Sequence, residues 1–276
     1  MFLGAARSAS DLRWIAIAAI LVGIWPSAAD AAEPRQRPRI TKLGTIDLDL
    51  VEATPVVFAD RLLRFEYVRT GYYANKTGNS CFRFVDLATG QALPAFAMGW
   101  HLGCAFAEGR TLYAFGVDKW GGSRIQMFRS TDLKHWETRP ALHLPKWELY
   151  NTSVCRADGR FVMAIEAGAP REVVGVPFTI FFAESPDLEH WHLLPLECVY
   201  SKEKYTACPA LRFVDGLFYM IYLEARPGPT YESHIVRSKD LMHWQSSPLN
   251  PVLAFSQDDK RIANPKLTPA QRRLTY

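Results

Sequence analysis

Five carboxyl groups in this chain stand where they could do acid–base work. Glu66, Asp118, Glu166 and Glu224 each close an apolar run that follows a tight turn, as in Phe65-Glu66-Tyr67, Val117-Asp118-Lys119-Trp120, Ile165-Glu166-Ala167 and Leu223-Glu224-Ala225. Glu52 instead opens a run, Glu52-Ala53-Thr54-Pro55-Val56-Val57. Carboxyl groups crowded into a half-dry cleft drive their proton affinities apart by like-charge repulsion and desolvation, so one is a proton donor near neutral pH while its neighbour stays charged. Such a pair can protonate a leaving group on one side and activate water, or attack carbon, on the other.

These residues need elements to bring them together, and the chain supplies a repeat. Ser130-Thr131-Asp132-Leu133-Lys134-His135-Trp136 returns as Ser185-Pro186-Asp187-Leu188-Glu189-His190-Trp191 and as Ser238-Lys239-Asp240-Leu241-Met242-His243-Trp244. The interval, about fifty residues, is that of stacked or radially arranged units. Upstream of each copy lies an acidic-Gly turn, at Glu108-Gly109, Asp158-Gly159 and Asp215-Gly216, with a weaker counterpart at Asp60-Arg61. Strand-like runs flank each turn, which is a strong short-range hairpin signal. Each unit therefore reads as a four-stranded antiparallel sheet of propeller-blade size, leaving no room for long helices. Because the repeated Ser, Asp, His and Trp recur in every copy, they are expected to lock the turn between third and fourth strands.

Four units are visible, with a degraded first copy around Phe84-Val85-Asp86-Leu87. The expected blades are 50–99, 100–149, 150–204 and 205–255, within a propeller over 40–255. Residues 256–276, with Pro265 and Pro269, read as an irregular tail and as the lead-in to a missing fifth blade. The predicted fold is thus an all-β, five-bladed propeller whose last blade is truncated. In a blade, the start of the innermost strand and the end of the second lie on the same side. The openings Glu52, His101, Asn151 and Tyr205 should then share one rim with the four strand-ending acids. Glu166, Glu224 and Asp118 stand seven, eight and nine residues after their turn glycines. Side chains alternate faces along a strand, so these three cannot all be equivalent without bulges.

The Ser-x-Asp-Leu-x-His-Trp strand ending, one per blade, resembles the five-bladed β-propeller glycoside hydrolases, the superfamily of arabinanases, levansucrases and invertases, including family 43. The resemblance spans about residues 45 to 255. It implies a pocket on the propeller axis with acids from successive inner strands, an oligosaccharide or polysaccharide substrate, and cleavage of a glycosidic bond by paired carboxyl groups. Members place an Asp before Pro at the start of the first blade, whereas this chain has Glu52 three residues ahead of Pro55. On this reading Glu52 is the base or nucleophile and Glu224 or Glu166 the general acid. His101 binds a sugar hydroxyl or supports a carboxylate, Asn151 and Tyr205 contact hydroxyls, and Asp118 adds a further rim contact. Trp120, before Gly121-Gly122, stacks on a sugar, and Arg64 pairs with a rim acid. Two rivals share the scaffold. One is a non-catalytic propeller that binds a glycan or protein; the other is a glycoside phosphorylase with Arg64, Lys119 and Arg226 as a phosphate clamp.

Composition sets the remaining bounds. The net charge is +4 and its Lys and Arg residues are dispersed, which leaves no footprint for nucleic acid. Arg7 and Arg13 precede an apolar run from Trp14 to Trp25 and an Ala-x-Ala site ending at Ala31. Residues 1–31 therefore read as a secretory signal, followed by a basic linker over 32–39. The expected location is periplasmic or extracellular, without membrane attachment after cleavage. Five cysteines without Cys-x-x-Cys spacing argue against a zinc site and leave at least one thiol free after export. No organic cofactor is expected; an axial calcium is compatible with the architecture, although no dense oxygen-ligand loop supports it. Nothing in the sequence sets an oligomeric state.

Overall fold

The repeated heptapeptide shows at once why its residue types recur. In the computed structural model, which describes residues 40, 50–69, 79–227 and 230–255, Asp132, Asp187 and Asp240 accept at Oδ1 the amide N–H groups two and three residues further on. Their Oδ2 atoms meet Nδ1 of His135, His190 and His243 at 2.7, 2.7 and 2.8 Å. Between these anchors Leu133, Leu188 and Leu241 take φ values of 62, 69 and 65° and are buried. A left-handed backbone is costly for leucine and persists only where surrounding bonds and burial impose it. The indoles of Trp191 and Trp244 donate back to the carbonyls of Leu188 and Leu241. The amide of His135, then its ring, holds the Asp132 carboxyl well below the usual range; His243 does the same for Asp240.

These turns punctuate four antiparallel sheets. The first contains β1 (Leu50–Phe58), β2 (Arg61–Arg69) and β3 (Ser80–Asp86). The second runs β4 (His101–Glu108), β5 (Thr111–Val117), β6 (Arg124–Ser130), β7 (Glu137–His143). The third is β8 (Glu148–Ala157), β9 (Arg160–Ala169), β10 (Thr179–Ser185), β11 (His192–Leu193), with one helical turn, α1 (Arg171–Val174), between β9 and β10. The fourth is β12 (Ala207–Val214), β13 (Leu217–Arg226), β14 (Thr230–Ser238), β15 (Trp244–Ser246). In the first sheet the fourth strand is reduced to bridges from Phe82 to Phe96 and from Val85 to Ala92. The innermost strands β1, β4, β8 and β12 lie side by side in that order. The architecture is a β-propeller of four described blades. Among the described residues no helix is long and apolar enough to cross a membrane. The expected signal, linker and tail fall outside the described residues.

The blades adhere through the faces they turn to one another. Phe65, Phe82, Phe115, Met163 and Phe181 belong to a core that joins the first three, while Val162, Ala164 and Phe182 meet Leu211, Met220 and Tyr222 between the third and fourth. Burial of each such aromatic or aliphatic side chain contributes about 1.5–3 kcal/mol. Phe82 presses so closely on the second blade that a Cβ at Gly103 would lie 2.7 Å from its ring. The two outermost faces have no such neighbour among the described residues: Val57 and Leu62 on the first blade, and Val214 and Ile221 on the fourth, are exposed.

The inner strands share a feature that positions the site. Each pairs with its neighbour out of register near its start, between Leu50 and Glu52, His101 and Cys104, Leu149 and Thr152, and Ala207 and Ala210. Extra residues of this kind bend a strand and re-aim the side chains beside them. Leu102 and Cys208 sit within these irregularities at φ 53 and 51°.

Candidate functional site

Two of the carboxyl groups meet electrostatically, Glu52 from β1 and Glu166 from the end of β9. Glu166 is 3% exposed. Its Oε2 accepts the backbone N–H of Cys208 at 2.7 Å and the Asn151 amide at 2.8 Å. Glu52 keeps some accessible surface, but its Oε2 atom is fully buried and has no hydrogen-bond partner. Desolvation therefore governs both groups. Burial, then the Glu166 charge, pushes Glu52 up to about 8 against the pull of Arg69. Burial raises Glu166 to about 7, opposed by the Cys208 amide and Asn151. Near neutral pH the pair divides its roles, Glu52 keeping its proton and Glu166 releasing its own more readily.

A neutral hydrogen-bonded wall backs Glu52. Tyr67, its cross-strand partner, meets His101 Nδ1 at 2.7 Å, and Ser80 approaches His101 Nε2 at 3.5 Å. Burial, reinforced by the Arg69 charge, lowers the His101 pKa, so its ring is uncharged. Arg69 lies over the Trp120 ring, 5.2 Å from the centroid. From Trp120 an aromatic arc continues through Tyr150, Phe178, Tyr205 and Tyr231, with successive centroids 5.8, 4.6, 5.5 and 5.9 Å apart. The Tyr150 hydroxyl feels the Glu166 charge, which ties the arc to the acid pair. An open aromatic face suits the C–H face of a sugar, and of these rings Trp120 is exposed, at 39%, while Tyr150 is buried.

The structure thus links Glu52, Glu166, His101, Asn151, Trp120 and Tyr205 through successive contacts, and it ties three other expected residues into ion pairs of their own. Glu224 is not part of the pair. It accepts hydrogen bonds from Lys204 at 2.8 Å and Tyr222 at 2.9 Å, with Arg226 and His234 close by. Burial alone would raise it, but the Lys204 bond, with Tyr222, carries it below its ordinary value. A carboxylate held ionised in this way is poorly placed to donate a proton. Arg64 does pair with an acid, at 2.7 Å, but that acid is the fully buried Glu66, clamped on its other side by Arg83 at 2.6 Å. Arg64 and Glu66 alternate with Phe65 and Tyr67 along β2 and so face away from the second blade. Asp118 is tied to Arg124 at 3.0 Å across the β5–β6 hairpin, and its charge still acts on His101 in the site. Of the residues expected as a phosphate clamp, Arg64 is held by Glu66, and Arg226 lies beside Glu224 and Glu232.

The contribution of Cys208 escapes a reading of residue types, because it comes from the main chain. Its φ of 51° accompanies an amide that points at Glu166. All five cysteines are free, and Cys208 alone is exposed; Cys104, Cys155 and Cys198 are buried. Among the described residues no group of three or more His, Cys, Asp or Glu side chains is placed to hold a metal ion.

Solved structures share this arrangement of sheets. A protein described as a glycoside hydrolase superposes with a TM-score of 0.56 at 15% identity, over 80% of this chain and 80% of its own. This chain shares its propeller fold with that protein. An α-L-arabinofuranosidase of Fusarium graminearum matches at TM-score 0.53 and 15% identity, over 73% of this propeller chain and 67% of its own. An α-L-arabinanase of Penicillium chrysogenum bound to arabinobiose matches at 0.54 and 11%, over the same shares. No family model matches the sequence, and no curated protein does.

Proposed function

We propose that this protein is a glycosidase that hydrolyses a glycosidic bond in an oligosaccharide, with an arabinofuranoside as the first substrate class to test. The observation that carries the reading is the desolvated Glu52–Glu166 pair, in which Asn151 and the Cys208 amide favour charge on Glu166 alone. Glu52, protonated, donates to the glycosidic oxygen as the bond breaks. Glu166, as carboxylate, serves the anomeric carbon, activating water or attacking directly. This exchanges the roles expected from sequence, where Glu52 was the charged partner. Trp120 and the aromatic arc offer the sugar a stacking surface, and His101 with Tyr67 forms a neutral backing for Glu52. The choice of arabinofuranosides follows the enzymes that share the fold.

The test is turnover of aryl arabinofuranosides and arabino-oligosaccharides by the wild type and by Glu52→Gln and Glu166→Gln. Each substitution is expected to lower kcat by about 10²–10⁴-fold while arabinobiose still binds. Saturable sugar binding by a wild type without turnover would instead make this a binding propeller.

A further inference from the structure

Asn151 does more than hold Glu166. It is 7% exposed and sits in the register irregularity of β8. Which end of its amide faces Glu166 is fixed by chemistry. Glu166 Oε2 already receives the Cys208 N–H at 2.7 Å and is therefore an acceptor, so the Asn151 atom 2.8 Å from it must be the nitrogen. The carbonyl oxygen is consequently turned elsewhere, and it is buried with no hydrogen-bond partner. Across the pair, Glu52 Oε2 is in the same state. A buried acceptor without a donor is rare and costs about 1–3 kcal/mol, so the Asn151 carbonyl beside a buried carboxylate marks a place where a ligand brings a donor.

Resting on the glycosidase reading, we propose that Asn151 is a two-ended positioning and specificity residue: its amide nitrogen orients Glu166, and its carbonyl oxygen accepts the proton of one sugar hydroxyl. The two ends are coupled. A donor on the carbonyl polarises the amide and strengthens its N–H as a donor, so the correct sugar tightens the hold on Glu166 at the moment it binds. A sugar lacking that hydroxyl leaves the carbonyl unpaired, which is how a polar site rejects a close analogue.

The experiment uses the full chain as wild type, Asn151→Ala and the near-isosteric Asn151→Asp, each checked for a cooperative melt. Arabinobiose and its monodeoxy analogues are the probes. In the wild type one analogue should bind about tenfold more weakly than arabinobiose, and in Asn151→Ala that difference should vanish. Asn151→Asp, which keeps an acceptor, should retain discrimination. Independently of any sugar, carboxyl-carbon NMR should show Glu166 titrating at higher pH in Asn151→Ala, because a donor to its charged form is gone. A Glu166 titration that does not move overturns the orienting role. A penalty that survives in Asn151→Ala, or no monodeoxy analogue with a penalty, overturns the hydroxyl contact. If arabinobiose does not bind the wild type at all, the arabinofuranoside reading and the hydroxyl contact fall together, and the titration still decides the orienting role.

Discussion

Glu52 and Glu166 make the pH dependence of turnover a direct readout of their environment. On the proposed glycosidase reading the active form has Glu166 ionised and Glu52 protonated, so kcat/KM is expected to rise through about 7 and fall through about 8. In Glu52→Gln the like charge is removed, and the alkaline limb should disappear together with most of the rate. Cys208 offers a second check. The residue keeps exposed surface, but its sulfur packs 3.4 Å from Asn151 Nδ2, and burial, then the Glu166 and Glu52 charges, push the thiol well above its ordinary value. Alkylation by iodoacetamide at pH 7.5 should therefore be slower than that of a simple thiol, and fast labelling would contradict the picture of a crowded acidic neighbourhood. At this scale the sequence was partly transparent. Glu52, His101 and Asn151 could be named because each opens an inner strand. The ionised state of Glu224 could not be foreseen, since the Lys204 that holds it comes from a loop 20 residues earlier.

The strands and turns were the most readable layer, because a motif written three times states its own structural role. Asp187 illustrates this: its carboxylate satisfies two turn amides and the His190 ring. Replacement by Ala should cost about 1 kcal/mol and lower the melting temperature by a few degrees without altering kcat. What the alternation of residues could not convey was side-chain direction. The irregular register at the start of all four inner strands breaks the two-residue period there, and a backbone offset leaves no mark in residue type. The first blade adds a constraint of another kind. At Gly103 a methyl group would meet Phe82 at 2.7 Å and Phe65 at 2.9 Å. Gly103→Ala should destabilise by about 1–3 kcal/mol in urea unfolding, and an unchanged midpoint would mean that the first two blades are not packed this tightly.

For the molecule as a whole, the acid pair links stability to pH. Glu52 and Glu166 titrate near 8 and 7 when folded, above the 4.5 of an exposed glutamate. Between pH 4.5 and 8 the folded protein thus keeps protons that the unfolded chain has released, and the unfolding free energy falls as pH rises. The pair's contribution is fully present below the unfolded value and is lost as pH climbs through the folded ones. Thermal melts should show a decline from pH 5 to pH 8 that flattens in the Glu52→Gln, Glu166→Gln double variant. The overall architecture was legible from the spacing of the repeats. The sparse fourth strand of the first blade was not, since only the bridges at Phe96 and Ala92 stand in for it.

Glu52 belongs to the first blade and Glu166 to the third, so the proposed proton donor and its charged counterpart are contributed by separate lengths of polypeptide. A nick in the link between β7 and β8 would put them on different fragments. Neither fragment alone should turn over substrate, and activity should return only as the two reassociate, which would make hydrolysis itself a reporter of complementation.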